Sequence, residues 1–341
     1  MRVYPRSSEM LGAVNLFDSL AAAHGLDLTR PEDAARFGAV AAEAMAEVRA
    51  QPAVLHGWRV QAMFAYVAAS LGGVDVVKEE DAGRLVARSG TLQVPDYRVV
   101  LRNGEEFFVE VKNCHKASPS SRLNLTAAYC EGLTEYGRQF GRPVTIAIYW
   151  SRWNTWTLVP LMAMSAVSGK RGISFTEACV ANEMARLGDQ LIGTRAPLVL
   201  SLVADVTKPR AIQSEQVAFT VGAVEMYCDG QRIAKDSEKN IAFYLMCYGR
   251  WEMKKTSRLD GDALVSLDFV FSPVEDSGQG FEMVGAISGM ISQQYNELTT
   301  TMSRSIRQLT PRSGPSALGL IVEECYHGLD LPLWRFKMQV A

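Results

Sequence analysis

The apolar positions change their period along the chain. Three opening stretches repeat at helical spacing: Ser7 to about Gly25, Pro31 to about Ala50, and His56 to Leu71. In the third, Val60, Phe64, Val67 and Leu71 line one face. Ser7 or Ser8 reads as a cap and Gly25 as a stop. Pro31 precedes two acids in a first turn, and Gly72-Gly73 closes the third helix. After Gly73 the period shortens to two. Val74 to Val77 and Leu85 to Ala87 read as short strands, and residues 94–101 and 105–112 flank Arg102-Asn103-Gly104 as a β-hairpin. A Ser-rich loop over 116–122 precedes a helix from about Asn124 to Phe140. Val144–Trp150 and Trp156–Pro160 then read as buried strands. Strand, hairpin, helix, strand, strand predicts an α/β core with a mixed sheet.

A helical segment from about Ser174 to Leu191 leads to Gly193-Thr194-Arg195-Ala196-Pro197, which breaks the pattern. Beyond it the chain is strand-rich: Leu198–Val203, Val217–Met226 with an Asp229-Gly230 turn, and Ala263–Phe271. Ile241–Tyr248 fits either strand or helix. A long helix from about Glu282 to Leu309, a Pro/Ser/Gly loop, an apolar run at Leu318–Val322 and a last run at Leu333–Val340 follow. There are no internal repeats, low-complexity tracts or heptads. The predicted layout is an N-terminal helical region (1–52), an α/β domain (53–194) and a C-terminal α+β domain (195–341).

The hairpin carries the chemistry. Period-two alternation puts Phe107, Val109 and Val111 on one face and Glu106, Phe108, Glu110 and Lys112 on the other. A two-residue Asn-Gly loop would set Asp96 opposite Val111, on the face away from Glu110. A three-residue loop with Gly104 left-handed sets Asp96 opposite Glu110 and joins Tyr97, Val99 and Leu101 to the apolar face. A slip of one residue reverses every side chain, so burial selects the second register. It gathers Asp96, Glu110 and Lys112 on one polar surface.

Composition narrows the function classes. The chain has 341 residues, a net charge of −2 and 48% hydrophobic residues, which suits a globular protein of more than one domain. There is no global basic field, so any nucleic-acid surface must be local. The six cysteines include no C-x-x-C pair, as expected of reduced thiols rather than a disulfide frame or zinc site. Residues 1–6 lack a signal-peptide core, and no apolar run approaches the roughly 20 residues that span a bilayer. The expected location is the cytoplasm, with no membrane partner.

Pro95-Asp96, thirteen intervening residues, then Glu110-Val111-Lys112 resembles the signature of the PD-(D/E)XK, or restriction-endonuclease-like, nuclease superfamily. The resemblance covers roughly residues 53–160 and includes the order helix, hairpin, helix, strand. It implies a restriction-endonuclease-like core, a mixed sheet flanked by helices. It also implies metal-dependent hydrolysis of DNA phosphodiesters. Asp96, Glu110 and the main-chain carbonyl of Val111 would hold Mg²⁺ or Mn²⁺, as hard oxygen donors do. The cation polarises a phosphoryl oxygen and acidifies a water, while Lys112 orients that water or offsets developing charge.

Many members carry a glutamate on the preceding helix in a G-x-x-x-E setting. Here Gly57 is followed by Gln61, a neutral and weaker donor. Gln61 therefore joins the candidate catalytic set and also supports a second reading: a catalytically weakened nuclease-fold module acting as a nucleic-acid-binding or assembly subunit. Tyr136 and Gln139 occupy the helix from which relatives add an auxiliary polar residue. His115, Lys116, Arg122 and Arg152 are candidates to meet phosphates. Trp150, Trp153 and Trp156 are either base-stacking or core residues. The leading expectation is a Mg²⁺-dependent DNA endonuclease of a restriction, phage-defence or DNA-processing system. Fold-level analogy adds a homodimer, a partner ATPase or another defence-system subunit as partners.

Overall fold

A computed structural model of the chain describes residues 1, 9–81, 85–88, 90–213, 216–320, 322 and 326–338. Helices α1 (Glu9–His24), α2 (Pro31–Ala50) and α3 (Pro52–Ser70) come first. Ser7 and Ser8, read as the first cap, lie outside the described residues. Pro31 and Pro52 each open a helix where a missing N–H costs nothing. Then come β1 (Val74–Glu79), β2 (Tyr97–Leu101), β3 (Glu106–Cys114), β4 (Arg122–Thr126), α4 (Ala127–Phe140), β5 (Val144–Trp150) and β6 (Thr155–Pro160). Next are β7 (Ser165–Val167), β8 (Lys170–Ser174), α5 (Phe175–Val180), β9 (Leu191–Thr194) and β10 (Leu198–Ala204). They precede β11 (Ala211–Gln213), β12 (Gln216–Ala218), β13 (Val221–Cys228), β14 (Gln231–Arg232) and α6 (Asp236–Tyr248). Last are β15 (Glu252–Asp260), β16 (Ala263–Ser272), β17 (Glu282–Ala286), α7 (Ile287–Thr299) and β18 (Leu333–Phe336). The fold is mixed α/β with several sheets.

The central sheet runs β1-β2-β3-β5-β6. Only β3 and β5 are parallel within it; the other neighbours are antiparallel. Tyr97 faces Val109 and Val99 faces Phe107, the register of the three-residue loop, and Gly104 has φ +84°. Leu101 N bonds Glu105 O at 2.8 Å. Alternation then sorts the side chains into two cores. Tyr97, Val99, Leu101, Phe107, Val109 and Val111 pack under α3 with Val60, Met63, Phe64 and Val67. Phe108, Cys114, Ile146 and Ile148 pack on the other face under Leu133 and Tyr136 of α4.

The core under α3 does not stop at the expected boundary. Leu198, Ile241, Leu245, Ile291 and Tyr295 belong to the same buried cluster. Trp156 Nε1 donates to Ser292 Oγ at 2.8 Å, and Asn154 Nδ2 to Gly289 O at 2.8 Å. Strand β9 pairs on both sides with later strands, β17 and β18. A second five-stranded sheet, β14-β13-β10-β16-β15, ends on β15, all nine residues of which are exposed. No helix among the described residues is long and apolar enough to cross a membrane.

Several elements depart from the sequence reading. Leu85–Ala87 forms no strand and Val86 is 95% exposed. Helix α4 starts at Ala127 rather than Asn124, since Arg122–Thr126 pairs with Lys170–Ser174. The helix expected over 174–191 is cut to six residues. Asn182 Oδ1 accepts Leu158 N and Met184 N, and left-handed Gly188 follows. The helix expected over 282–309 begins as strand β17 and ends at Thr299. There the Thr299 and Thr300 hydroxyls bond back to the Tyr295 and Asn296 carbonyls. Ile241–Tyr248 is helical, within α6. Within the last run, strand forms at Leu333–Phe336.

Candidate active site

Glu110 and Lys112 share a face of β3 because they are two residues apart. Asp96 reaches that face from the residue just before β2. Phe108 N bonds Pro143 O, so even-numbered residues of β3 turn their amides toward β5 and odd ones toward β2. Beyond the last β2 pair, the Val111 amide finds no main-chain partner on that side. The Asp96 carboxylate takes it instead, Val111 N to Oδ2 at 2.6 Å. Val111's carbonyl points to the same side by strand geometry.

Two carboxylates therefore sit together in a dry place. Glu110 is 3% exposed. Its Oε1 accepts Lys112 Nζ at 2.5 Å and Tyr129 Oη at 2.5 Å. Its Oε2 is buried with no hydrogen-bond partner. Burial, and after it the Glu110 charge, push the Asp96 carboxyl up to about 7; the Val111 amide and Lys112 pull the other way, and Asp81 adds to the rise. Desolvated carboxylates side by side favour a proton or a cation between them.

Tyr129 completes the cluster and was not singled out by sequence. Its hydroxyl donates to Glu110 and accepts Lys112 Nζ at 3.1 Å, whose ammonium lies 4.8 Å from the ring centroid. Burial, then Glu110, push its phenol well above the ordinary value, which keeps it a donor. Tyr129 lies in the first turn of α4, capped by Thr126 Oγ1 accepting Tyr129 N at 3.3 Å. Tyr136, two turns later on the same face, bonds Glu80 Oε2 at 3.0 Å instead. Gln139 bonds Glu135.

Gln61 lies outside this cluster. Its Nε2 donates to Asp81 Oδ2 at 2.8 Å, and its carbonyl accepts Tyr97 Oη at 3.0 Å. Asp81, which acts on the Asp96 charge, is thus the group that connects Gln61 to the carboxylate pair. In the sequence Asp81 is the last of four successive charged residues, Lys78-Glu79-Glu80-Asp81, and no spacing marks it out. Among the described residues, no three His, Cys, Asp or Glu side chains are gathered closely enough to hold a metal ion.

The basic candidates fall into two sets. His115 Nδ1 and Ser151 Oγ are 2.6 Å apart, and His115 Nε2 is 2.8 Å from Asn113 Nδ2. His115 and Arg152 line one open cleft. Arg122 instead holds Glu177 through two 2.9 Å contacts and also bonds Ser165 Oγ and the Gly172 carbonyl. Lys116 bonds the Arg122 carbonyl. The tryptophans are core: Trp150 and Trp156 are buried, and Trp153 stacks on Phe175 at 4.5 Å.

No family model matches the chain, and no curated protein does. Among solved structures, part of the chain is similar to Hjc, a Holliday junction resolvase from the archaeal hyperthermophile Archaeoglobus fulgidus. That similarity covers 33% of this chain and 84% of the other, at 20% identity and a TM-score of 0.27.

Proposed function

We propose that the chain is a metal-dependent nuclease that hydrolyses DNA phosphodiester bonds, with residues 53–194 as its restriction-endonuclease-like unit. One observation carries this reading. Asp96 and Glu110 form a desolvated carboxylate pair with one oxygen unpartnered and an ammonium beside it. That donor set suits a hard divalent cation: Asp96, Glu110 Oε2 and the Val111 carbonyl would hold Mg²⁺ or Mn²⁺. When bound, the cation supplies Lewis-acid polarisation of a phosphoryl oxygen and neutralises its charge. Lys112, fixed by Glu110 and Tyr129, stands where it can donate to a phosphate oxygen or orient an attacking water. Tyr129 holds the ammonium and carboxylate in register.

A second reading rests on Gln61. Its amide is spent on Asp81, so the carboxylate pair has no third acid from α3. A chain that binds nucleic acid without cutting it, as an assembly subunit, fits that feature. Incubation with plasmid and single-stranded DNA and Mg²⁺ separates the two. The nuclease reading expects cleavage that EDTA, Asp96→Ala and Lys112→Ala each abolish. Cleavage surviving both substitutions would sink the site assignment, and no cleavage by the wild-type chain would favour the binding subunit. A restriction or defence setting, a homodimer and a partner ATPase belong to the same proposal.

A further inference from the structure

A cleft of about 1200 Å³ opens at the C-terminal ends of the parallel strands β3 and β5, on the side of the sheet that α3 covers. The first half of the chain supplies His56, Arg59, His115 and Arg152, and the segment after α7 supplies Arg304 and Arg307. Asn113, which strand alternation turns to the face opposite Lys112, lines it too. Its four arginines face one acid, Glu297, which burial holds above its ordinary pKa and which pairs with the Tyr248 hydroxyl. The chain as a whole has a net charge of −2, so the positive lining is local.

Arg59 makes this more than a charged surface. It is only 6% exposed, and its Nε is buried with no partner. Nη1 donates to two neutral groups, Asn296 Oδ1 at 2.6 Å and Thr299 Oγ1 at 3.3 Å. A buried guanidinium answered only by neutral acceptors is costly unless an anion completes it. Burial, then the charges of Arg59 and His115, hold His56 below its ordinary pKa, a further sign of unneutralised positive field. The space exceeds the roughly 300–1,000 Å³ of ordinary small-molecule pockets and so suits a stretch of polymer.

We propose that this cleft is a phosphate-binding subsite that holds the backbone of a nucleic-acid strand, with Arg59 as its buried anchor and Arg304 and Arg307 as its outer wall. The ligand's identity rests on the nuclease reading; the anion pocket does not. The second half of the chain thereby supplies one wall of the cleft. Asn296 and Thr299 of α7 fix the Arg59 guanidinium, and the turn after α7 delivers the other two arginines.

The test is binding of a fluorescein-labelled 20-nucleotide single-stranded DNA to the full chain in EDTA, titrated over salt. Arg304 and Arg307 are exposed, so Arg304→Gln/Arg307→Gln leaves the fold intact. It should weaken binding at least tenfold and flatten the log–log salt slope by about 1.4, as loss of two single-strand phosphate contacts requires. Arg59→Met should weaken binding further, and Lys254→Gln/Lys255→Gln on the remote strand β15 should leave the slope alone. Equal affinity for 5′-phosphate and 5′-hydroxyl strands identifies internal phosphodiesters as the ligand, and tighter binding of the 5′-phosphate identifies a terminal one. An unchanged slope in the double variant, or an equal loss in the β15 control, overturns the subsite. Because EDTA removes cleavage from the readout, arginine-dependent binding by a chain that never cuts defeats the nuclease reading and leaves this one. Asp96-dependent cleavage indifferent to the double variant does the reverse.

Discussion

Asp96 is the residue on which the site's energetics turn. Its folded pKa of about 7 lies above the ordinary 3.8. Folding therefore favours the protonated form: the stability it contributes is complete below about pH 4 and is lost as pH rises through about 7. Asp96→Asn should accordingly raise the melting temperature at pH 8 by several degrees and change it little at pH 4, as scanning calorimetry would read. If the carboxylate pair holds Mg²⁺ as proposed, Mg²⁺ should raise the wild-type melting temperature at pH 8 and should not raise that of Asp96→Asn. Tyr129→Phe removes a hydroxyl shared by Glu110 and Lys112. A hydrogen bond to a charged group is worth about 1.5–3 kcal/mol, so on the proposed nuclease reading single-turnover cleavage should slow by roughly tenfold or more. The three motif residues were legible because strand alternation is local. Tyr129 was not, because its place depends on where α4 begins, and a strand pair fifty residues apart decides that.

At the scale of elements, the hairpin was readable to the register and its surroundings were not. Burial leaves one workable pairing for residues 97–109, and Gly104 supplies the positive φ that pairing needs. Gly104→Ala should cost about 1 kcal/mol, measured by urea unfolding. A larger loss would mean that the register had shifted. Thr126→Ala removes the cap that seats Tyr129 and should cost about 1 kcal/mol as well; on the proposed nuclease reading it also lowers cleavage, which Thr126→Ser restores. The helices expected over 174–191 and 282–309 failed for a shared reason. Each apolar period continued past a point where side chains, Asn182 in one and Thr299 and Thr300 in the other, satisfy backbone groups by themselves. Periodicity records which face is buried and is blind to such local competition.

At the scale of the molecule, one buried cluster joins α3 and the central sheet to Leu198, Leu245 and Tyr295. No sequence signal marks this, because both halves are patterned as if complete. A chain cut after residue 195 should expose the α3 face that meets α7 and aggregate, whereas the full chain should melt residues 53–338 in one calorimetric transition. The second sheet carries a different consequence. Strand β15 leaves its outer edge open to solvent along nine residues, the geometry by which copies of a chain add to one another. What stands against that growth is Glu252, Lys254, Lys255, Arg258 and Asp260, a picket of charge along the open rung. Turning Lys255 and Arg258 to valine should promote self-association in concentrated solution, visible as rising light scatter.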